Sequence, residues 1–475
     1  MKQWFKVIYL AGVTLALCVV FANWAYDDPF ITFRYAQNLA QGKGFVYNPG
    51  ERVLSTTTPL FTLVLAGGSF IWSDIHHLAV LIGAACLAFG GWMIFELSRA
   101  WGTPLLGWTG LALFPTFPLL VSTLGSEMPL YLALCLGALA AYATRSYTLS
   151  GICCGFAFLT RSDAVLVPFL MAVDFTARRK EKLPWGGIFA FAAISLLWIG
   201  FAWLYFGSPV PATLGAKQSQ GRLAISEQFA PGFLTILQSY TGWPYILFAC
   251  LLLVGWLHAF LVKRETIHVL IWPLAYFGAY TLLGVSRYFW YYAPLVPSLV
   301  IGAGLSLEAL RHWSQTLLGK YQEAGAKIGG AAGMILIVVI LAANLGGLSS
   351  MPGKADVRYP IYRAAGDWLR ENTDEDASVG ALEVGIIGYF AKRKMVDFAG
   401  LIQPDVAQSL EPEDTYEDAA LFALNRYSPD YLVLHEEYFP TLERAVQGMG
   451  CGIEFVLQGE PFGYPMDLRI YECQD

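Results

Sequence analysis

Two adjacent carboxylates, Asp27 and Asp28, directly follow a long apolar run near the start of the chain. A carboxylate within hydrogen-bond reach of a hydroxyl group can remove its proton as that hydroxyl attacks, which typically accelerates a reaction ~10²- to 10⁴-fold. The polar stretch that contains this pair, residues 26–53, also carries Arg34. Cations beside a bilayer suit the anionic head groups of lipids. The stretch therefore combines an acid–base group with a cation that would bind a phosphate.

Pro29 separates the expected roles of the two acids. A short acceptor side chain directly before a proline commonly caps a helix, so the sequence predicts Asp28 as the N-cap of a helix that begins at Pro29. Asp28 would then cap the helix, orient a neighbouring group or act as a second ligand. Asp27 is not explained in this way, and it is either a hydrated acid at the membrane surface or a functional group.

Further polar residues stand beside later apolar segments. They are Glu127 in LGSEMP, Arg161 and Asp163 in LTRSDA, Lys217 in LGAKQ, and Arg287 and Tyr288 in RYFWYY. Each of these residues also has a structural explanation. For Glu127, the N-terminal dipole of a helix starting at Met128 favours an acid at that position. Each cation, in turn, could extend its charge from an apolar face to water. Together these residues offer cations for a phosphate and carboxylates for proton transfer, with Asp163 orienting Arg161.

The composition indicates an integral membrane protein. Hydrophobic residues make up 56% of the 475 residues and charged residues only 14%, which is far from the balance of soluble domains. The first apolar run, 7–25, lacks a small-residue cleavage pattern and is predicted to be a retained span rather than a removed signal. The net charge is −6 and the sequence shows no basic tail, so the charge distribution gives no indication of a nucleic-acid partner.

Apolar segments that suit membrane helices recur along the chain. They are 7–25, 57–72, 78–98, 104–122, 128–144, 147–160, 163–177, 185–206, 243–262, 266–284, 288–308 and 328–347. Basic loops face the cytoplasm, and the orientations agree when 104–122, interrupted by prolines, does not cross. That leaves an α-helical membrane domain with about 11 spans, a cytoplasmic N-terminus and an outer C-terminus. The candidate residues then gather on the outer side.

The chain divides into a membrane domain, 1–348, with an outer loop at 26–56, and a small outer α/β domain, 349–475. Alternating apolar runs predict strands at ASVGAL, DYLVLH, IEFVLQ and LRIYEC, and helical periodicity marks YRAAGDWLREN and AALFALNRY. Cys451 and Cys473 are candidates for a disulfide if this domain faces an oxidising compartment, although their spacing alone does not fix the distance between them.

These polar segments, in their residue sequence and their order along the chain, resemble those of the bacterial GT-C membrane glycosyltransferases. The similarity is nearest to the branch of the mycobacterial arabinofuranosyltransferases and related polyprenyl-phosphate-sugar-dependent enzymes. The matching segments are DDPFITFRYAQNLAQGKGFVYNPGERVLSTTTPL, LGSEMPLY, FLTRSDAVL, FGSPVPATLGAKQ, RYFWYYAPLVP and GDWLRENTDEDASVGALEVGIIGYFAKRKMVDFAGL. Since the resemblance extends over nearly the whole chain, it implies a multi-pass GT-C protein of the bacterial cytoplasmic membrane.

The resemblance implies transfer of a pentose or hexose from a polyprenyl-phosphate carrier to a hydroxyl of a cell-envelope glycan or glycolipid, with inversion. Asp27 would be the general base, and Asp28 and Glu127 would assist it. Donor and phosphate binding would fall to Arg34, Arg161, Lys217, Arg287 and Tyr288. No cofactor is required, although a divalent metal held by Asp27 and Glu127 would be compatible with the reaction.

Other functions stay open at this stage. A transporter or flippase of sugar lipids would place ionisable residues near the membrane midplane rather than at one surface. A protein O-glycosyltransferase of the same superfamily, or a sugar-lipid binder with a sensing outer domain, would share much of the pattern. His76 and His77 are expected to cap a cytoplasmic turn rather than to bind zinc.

Overall fold

The computed structural model describes residues 3–178, 181–223, 226–351 and 356–473. Helices of the first part form a bundle, and the last part forms a separate α/β layer at one end of it. The bundle helices are α1 (Gln3–Phe21), α2 (Asp27–Ala40), α3 (Pro59–Ser69), α4 (Ile75–Trp101), α5 (Pro104–Leu113), α6 (Pro118–Val121), α7 (Met128–Ala143), α8 (Tyr147–Thr160), α9 (Leu166–Arg178), α10 (Trp185–Phe206), α11 (Ala212–Arg222), α12 (Phe229–Gln238), α13 (Trp243–Leu261), α14 (Ile267–Leu283), α15 (Val296–Leu317) and α16 (Gln322–Ser350).

The bundle has the surface of a membrane protein. Within the described residues, seven helices are long and apolar enough to cross a bilayer. Large apolar side chains point outward from the bundle, as at Leu204, which is 85% exposed, and Leu282, which is 89% exposed. Lipid tails solvate such side chains as well as a protein core does. The protein is therefore a multi-pass membrane protein, and the exact number of spans stays a prediction.

Segment 57–72 differs from the prediction that it spans the bundle. Its helix α3 has 11 residues and a length of roughly 16 Å, about half of a bilayer core. The next helix starts beside the α/β layer, because His76 contacts the Trp24 carbonyl through Nε2 at 2.9 Å and packs on Tyr359. Both ends of α3 thus lie at the same end of the bundle.

Segment 104–122 differs in the opposite sense, because it runs the length of the bundle as α5 and α6. At one end Lys263 donates to the Trp101 carbonyl at 2.7 Å, just before α5 begins. At the other end Trp24 donates through Nε1 to the Ser122 carbonyl at 2.8 Å. The prolines break this segment into two helices but do not turn it back. This differs from the sequence analysis, which expected 104–122 not to cross the membrane.

The α/β layer contains a five-stranded sheet in the order β2-β1-β3-β5-β4. Its strands are β1 (Ser378–Ala381), β2 (Lys394–Asp397), β3 (Tyr431–His435), β4 (Gly452–Leu457) and β5 (Leu468–Glu472). Its helices are α17 (Tyr359–Asn372), α18 (Ile386–Ala391), α19 (Pro404–Ser409), α20 (Tyr416–Tyr427) and α21 (Pro440–Gly448). β1 pairs in parallel with β2 and β3, whereas β5 runs antiparallel to β3 and β4.

The predicted strands and helices of this layer are all present, whereas strand β2 and the short helices α18, α19 and α21 were not predicted. A disulfide joins the candidate pair Cys451 and Cys473. The short β2 sequence KMVD offers too few alternating apolar residues to be recognised as a strand.

The outer loop packs against this α/β layer. Arg34 of α2 donates to the carbonyls of Gly388 and Arg393, and Asn48 exchanges two hydrogen bonds with the backbone of Met395, at 2.9 and 3.0 Å. Tyr47 donates through its hydroxyl to the Val384 carbonyl. The loop that the sequence marks as chemically important is therefore built jointly by both parts of the chain.

Candidate active site

A polar cavity lies where the bundle meets the α/β layer. Six segments line it: the start of α2, the segment 55–58, the turn before α7, the turn after α8, the segment 211–217 that begins α11, and the segment 280–291. Leu401 of the α/β layer adds to the wall. The predicted site residues that line this cavity are Asp28, Glu127, Arg161, Asp163 and Lys217. Segments distant in sequence thus contribute carboxylates and cations to one space.

Asp28 and Lys217 form a contact across the cavity. The Lys217 ammonium lies 3.3 Å from Asp28 Oδ1 and stands over the aromatic faces of Tyr288 and Trp290, 4.8 and 5.5 Å from the ring centroids. Burial disfavours the ammonium form, but Asp28 and the neighbouring tyrosines outweigh this and raise the pKa of Lys217 above its usual value. Lys217 is therefore a fixed positive charge in this cavity.

Arg161 is the second buried cation of the cavity. It pairs with Glu127 at 2.9 Å and with Asp163 at 2.8 Å, and it also donates to the Tyr280 hydroxyl. Tyr280 in turn donates to Asp163 at 2.6 Å. Arg161 thus donates two hydrogen bonds to Asp163 and one to Glu127, and the role of Asp163 in orienting Arg161 stays a prediction.

Glu127 does not cap α7. Its position is the N-cap, but its side chain makes no capping hydrogen bond, and its carboxylate binds Arg161 instead. The alternative prediction, in which Glu127 serves only to cap α7, therefore does not describe its contacts.

The two acids of the outer loop occupy different environments from those predicted. Tyr26 is the N-cap of α2, and Asp27 and Asp28 both lie in its first turn, so the prediction of Asp28 as N-cap is wrong. Asp28 faces the cavity. Asp27 is not among the lining residues and instead accepts hydrogen bonds from the backbone N–H groups of Gly385 and Ile386, at 3.1 and 2.8 Å.

Asp27 lies near two other charged side chains, Glu383 and Arg358. Burial and, secondarily, the nearby Glu383 carboxylate raise the pKa of Asp27 to about 7, against the opposing effect of its backbone donors and Arg358. Its carboxylate holds the first turn of α2 against the start of α18. The side chain that follows it, that of Asp28, is thereby directed to the cavity.

Three predicted donor-binding residues lie outside the cavity wall. Arg34 is buried and donates to Tyr47 at 3.0 Å and to two carbonyls of the α/β layer. Arg287 pairs with Glu227 at 2.8 Å. Tyr288 donates to Gln220 at 2.9 Å while its ring supports Lys217. The structure thus gives Arg34 a role in the loop, and Tyr288 a role beneath the cation.

The sequence analysis did not single out the hydroxyl groups and tyrosines of the cavity. They are Thr32, Ser55, Thr56, Thr57, Thr58, Ser162, Thr213, Tyr280 and Tyr291. The signal for part of this set was present in the run STTT, since four hydroxyl residues directly before an apolar helix form an unusual border. Tyr280 and Tyr291 carry no comparable signal, because tyrosines are common at membrane surfaces.

The predicted metal pair is not brought together at the cavity, because Glu127 lines it whereas Asp27 does not. Across the described residues, the group of three His and acidic side chains with ligand atoms within 4.8 Å of one another is Asp74, His76 and His77. Asp74 caps α4 through the His77 backbone. The two histidines lie at the end of the bundle that carries the α/β layer, which the sequence analysis predicts to be the outer side, so the two expectations do not agree with each other.

The fold of this chain is similar to that of solved structures of two other proteins. Similar solved structures are ArnT from Cupriavidus metallidurans bound to undecaprenyl phosphate, with a TM-score of 0.65 and 13% identity over 99% of this chain and 98% of that chain. The oligosaccharyltransferase AglB from Archaeoglobus fulgidus, in complex with an inhibitory peptide and a dolichol-phosphate, has a TM-score of 0.63 and 14% identity over 91% of this chain and 70% of that chain.

A family model described as a domain of unknown function (DUF8728) matches residues 354–466, which corresponds to the α/β layer. No curated protein resembles the sequence closely enough to count as a relative. The comparisons therefore show the fold, and the arabinofuranosyltransferase-like branch stays a prediction.

Proposed function

We propose that this protein transfers a sugar from a polyprenyl-phosphate carrier to an acceptor hydroxyl. The observation that carries the proposal is one cavity in a GT-C fold that pairs the carboxylate of Asp28 with the buried ammonium of Lys217. The similar structures bind undecaprenyl phosphate and a dolichol-phosphate, which supports a lipid phosphate as the carrier.

Asp28 is the general base in this proposal. The acceptor oxygen attacks the anomeric carbon and forms the new glycosidic bond, while the bond from that carbon to the phosphate oxygen breaks and its electron pair stays on the phosphate. The acceptor proton passes to Asp28. Attack from the face opposite the phosphate inverts the anomeric centre.

Lys217 and Arg161 stabilise the charge that the departing phosphate gains. Charged donors fixed before the reaction need no reorganisation when charge develops. Glu127 and Asp163 hold Arg161 in position. A divalent ion at this cavity would take oxygen ligands from Asp28 and Glu127 and would add further positive charge, but the step as written requires no cofactor.

Asp27 exchanges roles with Asp28 relative to the sequence-based hypothesis. A base must come within hydrogen-bond reach of the acceptor, and both oxygens of Asp27 already accept backbone N–H groups of the α/β layer. Asp28 lines the cavity, and among the described residues its side chain has one hydrogen-bond partner, Lys217. Asp28 is therefore the better placed acid.

The setting of the reaction follows from the same proposal. The cavity would face the outer side of a bacterial cytoplasmic membrane, with the N-terminus inside and the α/β layer outside. The acceptor would be a cell-envelope glycan or glycolipid, and the sugar a pentose or a hexose. Burial of the polyprenyl chain in the bilayer would present the phosphate at the depth of Lys217.

The test uses the full-length protein in lipid nanodiscs with a panel of polyprenyl-phosphate sugars and follows release of the free carrier phosphate. We expect release from at least one donor, and a ~10²- to 10⁴-fold loss of turnover in Asp28→Asn. The matched control is Asp376→Asn, an exposed acid of the α/β layer.

Equal turnover in Asp28→Asn and the wild type would refute Asp28 as base. Movement of intact sugar lipid across the membrane without carrier release would instead indicate a flippase.

A further inference from the structure

One side of the cavity is built from hydroxyl groups rather than charges. The Thr32 hydroxyl lies 3.4 Å from that of Thr58 and 3.5 Å from that of Thr56, and the latter two lie 3.2 Å apart. All three side chains are buried. Neutral hydroxyls in a small cluster can exchange donor and acceptor roles, because each hydrogen rotates to suit its partner.

Two further hydroxyls of the same cavity have no partner. Ser55 and Thr213 line it and are 2% and 4% exposed. Among the described residues, neither Ser55 Oγ nor Thr213 Oγ1 has a hydrogen-bond partner. A buried hydroxyl without a partner is costly and uncommon in folded proteins, so these two atoms call for a polar occupant of the cavity.

The backbone holds these two hydroxyls close to each other. The Ala212 N–H donates to the Leu54 carbonyl at 2.8 Å, which joins the residue before Ser55 to the residue before Thr213. The two unpartnered groups therefore come from segments far apart in sequence and are fixed at one junction. We call Thr32, Ser55, Thr56, Thr58 and Thr213 the hydroxyl wall.

The charges of the cavity lie with a different set of residues. Lys217 and Arg161 supply the cations and Asp28 and Glu127 the nearest acids, whereas the hydroxyl wall carries no formal charge. A phosphate would be attracted to the cations. A hydrocarbon chain would leave the unpartnered hydroxyls unsatisfied.

We propose that the hydroxyl wall is the subsite for the sugar ring, with Ser55 and Thr213 bonding ring hydroxyls directly. This rests on the proposed function and adds to it the residues that select the sugar. A site built to bond a substrate hydroxyl discriminates strongly against the analogue that lacks it, because its own polar groups then stay unpaired. The wall would thus distinguish sugars by the positions of their hydroxyls.

The experiment pairs variants of the protein with deoxy versions of the accepted donor. Thr213→Val removes the hydroxyl at nearly constant volume, Ser55→Ala does the same for the second group, and Thr213→Ser restores it. The donors are polyprenyl-phosphate sugars with one ring hydroxyl at a time replaced by hydrogen. Thr316→Val, an exposed position on α15, is the control.

We expect the wild type to lose about 5- to 150-fold in kcat/KM with one particular deoxy donor, the cost of leaving a buried hydroxyl without its partner. Thr213→Val or Ser55→Ala should lose a similar factor with the full sugar and little more with that deoxy donor. Thr213→Ser and the control should behave like the wild type.

If the loss caused by the variant and the loss caused by the deoxy donor multiply for every deoxy donor, the subsite is refuted. The wall hydroxyls would then be bonding water or each other rather than the sugar. Carrier release that proceeds normally in the wild type would show in that case that the proposed function itself stands. Absence of carrier release from any donor would overturn the proposed function and the subsite together.

Discussion

Gly385 provides a direct test of how the α/β layer controls the cavity. Its N–H donates to Asp27 Oδ2 at 3.1 Å, and its φ of −63° is one that alanine adopts freely. A methyl group added there would lie 2.1 Å from the Asp27 backbone oxygen and 2.6 Å from Asp27 Oδ2. Gly385→Ala therefore introduces a clash at one site without straining its own backbone.

The size of the effect follows from these distances. Favourable contacts of a methyl carbon begin at about 3.5 Å, so the start of α2 and the turn before α18 must separate by about 1 Å or more. Asp28 follows Asp27 directly and would move with it. A misplacement of about 1 Å in a reacting group costs on the order of 10²-fold in rate, whereas overpacking of this kind costs about 1–3 kcal/mol of stability.

The assay compares carrier release and thermal unfolding for the wild type, Gly385→Ala and Gly448→Ala. Gly448 is a helical glycine of the same layer with no atom within 4 Å of an added methyl group, so it controls for the alanine itself. We expect about a 10²-fold fall in kcat for Gly385→Ala in protein that remains folded. Turnover within about threefold of the wild type would refute the inference that this layer positions Asp28.

Other outcomes test Lys217, His435 and the disulfide. Lys217→Met should reduce turnover ~10²- to 10³-fold, as expected for loss of a donor to developing charge, while Lys217→Arg should retain part of it; unchanged carrier release by Lys217→Met would contradict this role. Burial lowers the pKa of His435 from 6.5, so its stabilising contribution is present above pH 6.5 and is lost as the pH falls below it. His435→Gln should flatten the thermal stability between pH 5 and 7, and an equally steep acid loss in that variant would count against it. Cys451→Ser should lower the free energy of unfolding by about 2–5 kcal/mol, to the same extent as reductant lowers that of the wild type; a reductant effect that persists in the variant would argue against the bridge.

The sequence was informative about which residues come together, and less so about their division of labour. Lys217, Glu127 and Arg161 line one cavity because each follows or precedes a membrane helix at the same end. The roles of Asp27 and Asp28 were not predictable, since the partners of Asp27 lie 358 and 359 residues away. Such a contact leaves no local pattern.

The helix paths show a similar limit. Apolar content alone predicts both α3 and segment 104–122 as membrane segments, because both are rich in hydrophobic residues and flanked by polar turns. What separates them is length and packing: α3 is too short to cross, while the broken α5–α6 segment packs along the long helices. Prolines can be accommodated in buried membrane helices when neighbours satisfy the freed backbone groups, so they did not signal a reversal here.

The hydrogen bonds from Gly385 and Ile386 to Asp27 also affect the order in which the chain can fold during synthesis. A ribosome that adds 5–20 residues per second would complete the first acid of the outer loop roughly 20–70 s before it completes the N–H groups that hold that acid. During this interval α2 can enter the membrane surface, but its first turn lacks its final partner. The two carboxylates would therefore reach their final arrangement only after residues 385 and 386 have been made, late in synthesis.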